Sequence, residues 1–194
     1  MRKILLVLFA CMCCAQGSIP PKVPPKPPYR VSEKGCEVYH EATEFPLKVV
    51  PNPFLGVEVI LAIEQSIYKA NKEIGMEVFQ LQWEVPEPMA CGYIFVTIGE
   101  LPDSQIKNFP IVAMTWTYML DNGYMCNSLT HLGSIRDVVI RHELYHAAGL
   151  QHTGDSTSLM HPIPQDGSVL LDNGREYVRR LISGTHVRTC HPVK

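Results

Sequence analysis

The clearest alternation in the chain runs from Val78 to Val85, with Phe79, Leu81, Trp83 and Val85 on one side and Gln80, Gln82 and Glu84 on the other. A period of two sends successive side chains to opposite faces of an extended backbone, so this stretch predicts a half-buried strand. Ile60, Ile63, Ile67, Ala70 and Ile74 instead recur every three or four positions. That spacing predicts a helix from Pro53 to Ile74, capped at Asn52, started by a proline at its first position and stopped by Gly75. Phe45 to Val50 reads as a short apolar strand before it, and Tyr93 to Ile98, more continuously apolar, as a central strand. Ile111 to Leu120 and Tyr124 to Leu132 predict two further strands, joined through the turn residues Asp121-Asn122-Gly123. Ser134-Ile135-Arg136-Asp137 is similar to a capping box, opening a helix that runs to about Ala148 and breaks at Gly149. A last short helix is expected over Arg175 to Ile182, with Tyr177, Val178, Leu181 and Ile182 inward.

Composition narrows the setting. A chain of 194 residues with 46% hydrophobic and 19% charged residues is that of one ordinary globular domain. Residues 1–17 read as a secretion signal: Arg2 and Lys3 are a basic start, Ile4 to Phe9 an apolar core, and small residues up to Gly17 a cleavage zone, after Ala15 or after Gly17. The apolar run is far shorter than the roughly 20 residues of a membrane-spanning helix, so no span is expected. Cys11, Cys13 and Cys14 offer an alternative, a lipid anchor on a cysteine. Residues 18–34 form a proline-rich linker, and Ile19 to Pro28 holds six prolines in ten positions, an extended spacer. The domain proper is then 35–194. The formal charge of −2 becomes −4 once Arg2 and Lys3 are removed, which is no nucleic-acid footprint. Cys36, Cys91, Cys126 and Cys190 remain, an even number in an exported chain, and predict two disulfides with three pairings open.

The candidate chemistry lies in His142-Glu143-Leu144-Tyr145-His146-Ala147-Ala148-Gly149-Leu150-Gln151-His152. Residues four apart share a helix face, so the imidazoles of His142 and His146 project side by side and can grip one ion. Glu143 is offset by about 100°, which puts its carboxylate beside the ion, where a general base belongs. The next same-face positions are Gly149 and Leu150, so a third ligand has to come from beyond the helix. A left-handed Gly149 ends the helix and lets His152 return to the ion. Three neutral imidazoles with a fourth position open to water describe a catalytic zinc site. Zinc lowers the pKa of such a water to about 7, and Glu143 is expected to take its proton and return it to a leaving amine. His142 or His146 alone would be an ordinary histidine. Three residue types fixed at five of eleven positions arise by chance in roughly one chain of this length in a hundred thousand at average composition.

This run resembles the metzincin zinc metallopeptidases, and the segment from His152 to Pro162 is most similar to their matrixin subgroup. Asp155 lies three residues past the last histidine, Met160 eight past it and Pro162 two further on, as in matrixins. The resemblance implies an α/β fold of the zincin type: a twisted five-stranded mixed sheet, a long backing helix, an active-site helix and a small C-terminal subdomain ending in a helix. It implies that Met160 forms a hydrophobic floor under one Zn2+ ion. It also implies that an extended protein or peptide substrate pairs with the antiparallel strand Ile111 to Leu120, and that Pro162, Ile163 and Pro164 line the pocket after the scissile bond. The sheet order it implies pairs Cys91 with Cys126 and leaves Cys36 with Cys190.

The sequence also departs from that pattern. Glu100 to Phe109 is short and lacks histidine, which argues against the structural calcium or second zinc of matrixins, and His161 stands where they usually carry tyrosine. No cysteine-switch surrounds Cys36. His40, His131, His186 and His191 have no metal-ligand spacing and read as non-catalytic. The expectation is therefore a secreted, monomeric zinc endopeptidase. The alternatives are an inactive zinc-binding or adhesion module, which would be expected to lose Glu143, and a zinc hydrolase of non-peptide substrates.

Overall fold

The computed structural model describes residues 35–85, 87, 89–99 and 112–190, together with the backbone of 5–6 and 30–31. The rest of the expected signal segment and of the expected proline-rich linker, the Glu100 to Phe109 loop, Ile111 and His191 lie outside the described residues.

Five strands form a mixed sheet: β1 (Leu47–Pro51), β2 (Phe79–Leu81), β3 (Tyr93–Ile98), β4 (Ala113–Met119) and β5 (Met125–Leu132). Their order is β4-β5-β3-β1-β2, and the two-residue stretch Leu5–Leu6 adds antiparallel outside β4. β1 runs parallel to β2 and β3, β3 parallel to β5, and β4 antiparallel to β5. Among the described residues three α-helices complete the domain: α1 (Val57–Ile74), α2 (Asp137–Ala147) and α3 (Asp172–Ile182). This is the α/β architecture implied above, with α1 and α2 packed on the sheet.

One core joins all of it. Ile63, Ile67, Ala70 and Ile74 of α1 meet Leu47 and Val49 of β1, Ile94 and Val96 of β3, Leu144 and Tyr145 of α2, and Val178 and Leu181 of α3. Burying such side chains is worth about 1.5–3 kcal/mol each before the entropy of ordering them is counted. A polar seam crosses it: Arg141 of α2 ion-pairs with Glu73 of α1 at 3.0 Å, both nearly buried, and Tyr145 donates to the same carboxylate at 3.2 Å. Burial raises the Tyr145 phenol far above its ordinary range, with the Glu73 charge adding to it. α2 is thereby fixed against α1 through the residues that immediately precede its two histidines.

Several boundaries differ from the sequence expectation. α1 begins at Val57 rather than Pro53, because Gly56 is extended and the Asn52 side chain closes a turn on the Phe54 amide instead of capping a helix. The capping box does not form: Ser134 Oγ accepts from Arg136 N, two residues on, and α2 starts at Asp137. β2 keeps only Phe79–Leu81; Gln82 N still donates to Val49 O at 2.9 Å, and Trp83 beyond it is 59% exposed. α3 starts at Asp172, one turn earlier than expected, with Gly174 on its buried face: a Cβ there would sit 3.0 Å from Leu170 Cδ1.

Two disulfides, Cys36–Cys190 and Cys91–Cys126, are formed in the pairing the resemblance implies. The first ties the N-terminal end of the domain to the tail, where Glu37 N also donates to Thr189 O. Among the described residues no helix is long and apolar enough to cross a membrane.

Candidate metal centre

α2 carries His142 and His146 four residues apart, and their rings pack edge to face with centroids 4.5 Å apart. The helix then ends in two bonds of a Schellman motif: Gly149 N donates to His146 O and Leu150 N to Tyr145 O, each at 3.0 Å. That closure requires Gly149 at φ +102°, where a Cβ would also lie 3.4 Å from Met125 Sδ and 3.5 Å from Val38 O. The chain turns back and His152 joins the pair, its Nε2 3.1 Å from His142 Nε2; His146 Nε2 is 2.9 Å from the same atom. The structure therefore brings all three predicted ligands together.

Their tautomers follow from backbone carbonyls, which can only accept. His142 Nδ1 donates to Leu159 O at 2.6 Å, and His146 Nδ1 donates to Leu150 O at 2.8 Å. A neutral ring that donates through Nδ1 keeps its lone pair on Nε2, and these are the atoms that converge. Burial holds His142 neutral, lowering its pKa to about 4 against the smaller opposing effect of the Leu159 carbonyl. Among the described residues, His142, His146 and His152 form a set whose ligand atoms all lie within 4.8 Å of one another. Lone pairs pressed this close repel unless a cation sits between them. Three neutral imidazoles whose lone pairs converge suit a divalent metal, so the donor set fits zinc.

The segment after His152 builds the other wall. Thr153 N donates to Met160 O, Met160 N to Ser158 Oγ and Leu159 N to Val169 O, so the turn at 158–160 is held from three directions. Met160 is buried within the main core. Asp155, exposed, closes the loop by accepting from Thr157 N and Oγ1, and the Thr157 hydroxyl holds its carboxyl below the usual range. Pro162 and Pro164 are half-buried and Ile163 is exposed, in the turn just after Met160. His161 Nδ1 accepts from Ile163 N at 3.2 Å.

Glu143 is buried beside the two helical ligands, and its Oε2 accepts from Thr115 Oγ1 of β4 at 2.6 Å. The carboxylate and the sheet edge are thus joined directly. Sequence reasoning missed Thr115, because a threonine in a strand is ordinary; the signal available was Thr-x-Thr on β4 facing Ser-x-Thr on β5. His40, expected to be non-catalytic, is fully buried and donates through Nε2 to Ala147 O at the end of α2. His186 pairs with the buried Glu37 in the N-terminal clasp, and His131 lies in β5.

No protein-family model and no curated protein matches the sequence. Among solved structures, the chain is similar to High choriolytic enzyme 1, a hatching-enzyme zinc protease from the medaka fish Oryzias latipes, with a TM-score of 0.47 and 12% identity. The match covers 80% of this chain and 94% of that one.

Proposed function

We propose that the chain is an exported zinc-dependent endopeptidase of the metzincin type, most like the matrixins. The observation that supports this best is the convergence of three Nε2 atoms, two with their protons committed to carbonyls, next to a buried glutamate. Zinc held there would supply a Lewis acid for a peptide carbonyl and for water. His142, His146 and His152 would hold it. Glu143 would take a proton from the water whose oxygen bonds to the peptide carbon and pass it to the nitrogen as the C–N bond breaks, so the amine departs neutral.

β4 flanks α2 on the sheet edge, and an extended peptide laid antiparallel along it would gain main-chain hydrogen bonds; the backbone of Leu5–Leu6 pairs with Tyr118 and Met119 in that manner. Met160 serves as the floor of the site, and Pro162, Ile163 and Pro164 as the wall of the pocket beyond the scissile bond. Two disulfides suit an oxidising compartment, consistent with residues 1–17 acting as a signal.

Zinc analysis and cleavage of an unfolded protein, with and without chelator, test the proposal. The expected result is one zinc per chain, chelator-sensitive hydrolysis, and a Glu143→Ala variant that keeps zinc but loses turnover. Zinc binding by the wild type without hydrolysis would instead point to a binding module.

A further inference from the structure

Thr115 and Thr117 on β4, and their cross-strand partners Thr130 and Ser128 on β5, place four buried hydroxyls on one face of the sheet. A strand face packed under a helix is ordinarily hydrocarbon, and a hydroxyl taken there needs a hydrogen bond to offset its lost hydration. Thr115 Oγ1 lies 2.6 Å from Glu143 Oε2 and 2.9 Å from Thr130 Oγ1. An ionised carboxylate can only accept, so the single Thr115 proton goes to Glu143. The Thr115 oxygen then accepts from Thr130. The more distant contact of Thr115 Oγ1 with the Glu143 carbonyl, at 3.3 Å, is secondary to this. The direction of the chain is fixed: Thr130 to Thr115 to Glu143.

Resting on the endopeptidase reading, we infer that Thr115 is a positioning residue for Glu143, with Thr130 orienting its hydroxyl. A glutamate side chain has three torsions, and α2 fixes only where it starts. A charge-assisted bond from a residue clamped in the sheet fixes where it ends, holding the plane of the carboxylate beside the open side of the metal site. Proton transfer is steep in distance and angle, so this restraint acts on turnover rather than on substrate or zinc binding.

The experiment compares Thr115→Val, which keeps shape and removes the hydroxyl, with Thr115→Ser, which keeps the hydroxyl and removes the methyl. Each is made in the wild type and in Glu143→Ala. kcat and KM on a fluorogenic peptide, zinc content, and Tm of the chelated protein are measured. Thr115→Val should lower kcat about tenfold to a hundredfold with KM and zinc content kept, while Thr115→Ser retains most of the activity. In the metal-free protein Thr115→Val should lower Tm by about 2–4 °C per hydrogen bond lost, and the shift should be smaller in Glu143→Ala, where only the bond with Thr130 is left to lose. Two results would overturn the role: a Thr115→Val as active as the wild type, or a Thr115→Ser as impaired as Thr115→Val. Hydrolysis absent from the wild type itself overturns the endopeptidase reading instead, and the Tm coupling still reads the Thr115–Glu143 bond on its own.

Discussion

His142 Nδ1 donates to the carbonyl of Leu159, 2.6 Å away, so the turn that follows the third histidine sets the ring of the first. The candidate metal centre is closed into a loop by this bond: α2 supplies two of the histidines, Gly149 redirects the chain, and the 158–160 turn comes back to the first of them. The geometry of the three rings depends on residues outside the set.

Ser158→Ala tests that dependence. Ser158 is 1% exposed and its Oγ accepts from Met160 N at 3.1 Å. Removing the oxygen strands a buried amide, which costs about 1–3 kcal/mol. The loosened Leu159 carbonyl should weaken zinc binding by about tenfold, as loss of outer partners does at other metal sites. Denaturant titration and zinc competition with a chromophoric chelator measure the two effects. Unchanged affinity at reduced stability would mean that the turn does not govern the ring.

Gly149→Ala acts on the other hinge. A φ of +102° is strained for any side chain, and the Cβ would press on Met125 Sδ and on the carbonyl of Val38. The expected loss is about 1–3 kcal/mol of stability. Because relaxation moves the return to His152, zinc affinity should fall with it. Gly75→Ala is also strained, at φ +78°, but has no atom within 4 Å of its Cβ, so it should cost stability alone.

Much of this was legible in the sequence because it is periodic. His142 and His146 had to share a face, and Gly149 had to end the helix, whatever surrounds them. The α1 stripe and β3 were equally plain, since their burial follows their spacing. What escaped depends on partners. Asn52 and Ser134 looked like caps, but each closes a local turn, a choice made by the path of the chain before the helix. Val78 to Val85 alternates faithfully, yet the register with β1 ends at Leu81 and its last bond is from Gln82 N to Val49 O, and alternation cannot say how far a neighbouring strand extends. The carbonyls of Leu150 and Leu159 orient two ligands without leaving any mark on residue type. Thr115 was hidden for a related reason: its hydroxyl matters only because β4 is folded beside Glu143.

The two disulfides should contribute unequally. Cys36 and Cys190 are 154 residues apart in sequence and Cys91 and Cys126 are 35 apart. Chain entropy alone gives about 5 kcal/mol for the longer loop and about 4 kcal/mol for the shorter. The longer link also secures a clasp in which Glu37 accepts from the Thr189 hydroxyl and pairs with His186. Replacing Cys36 and Cys190 by alanine should therefore lower the denaturation midpoint more than replacing Cys91 and Cys126. The reverse order would mean that the clasp holds without its covalent bond.

Acid should unfold the metal-free protein through His142. Burial lowers its pKa from 6.5 to about 4, the Leu159 carbonyl opposing that effect and His161 adding to it. The unfolded chain takes up a proton as pH falls through about 6.5, and the folded chain resists until about 4. Between those values the unfolded state binds more protons, so this group's contribution is fully present above about 6.5 and is lost as pH falls toward 4. A gap of this size corresponds to a loss on the order of 3 kcal/mol. Other groups titrate in the same window, so the comparison is with His142→Asn, which removes the titration and keeps a polar side chain. Urea unfolding with chelator at pH 7.5, 5.5 and 4.5 should give a steeper decline for the wild type than for the variant. Parallel declines would show that His142 takes up its proton as readily folded as unfolded, and would undo the assignment of a buried, neutral ligand.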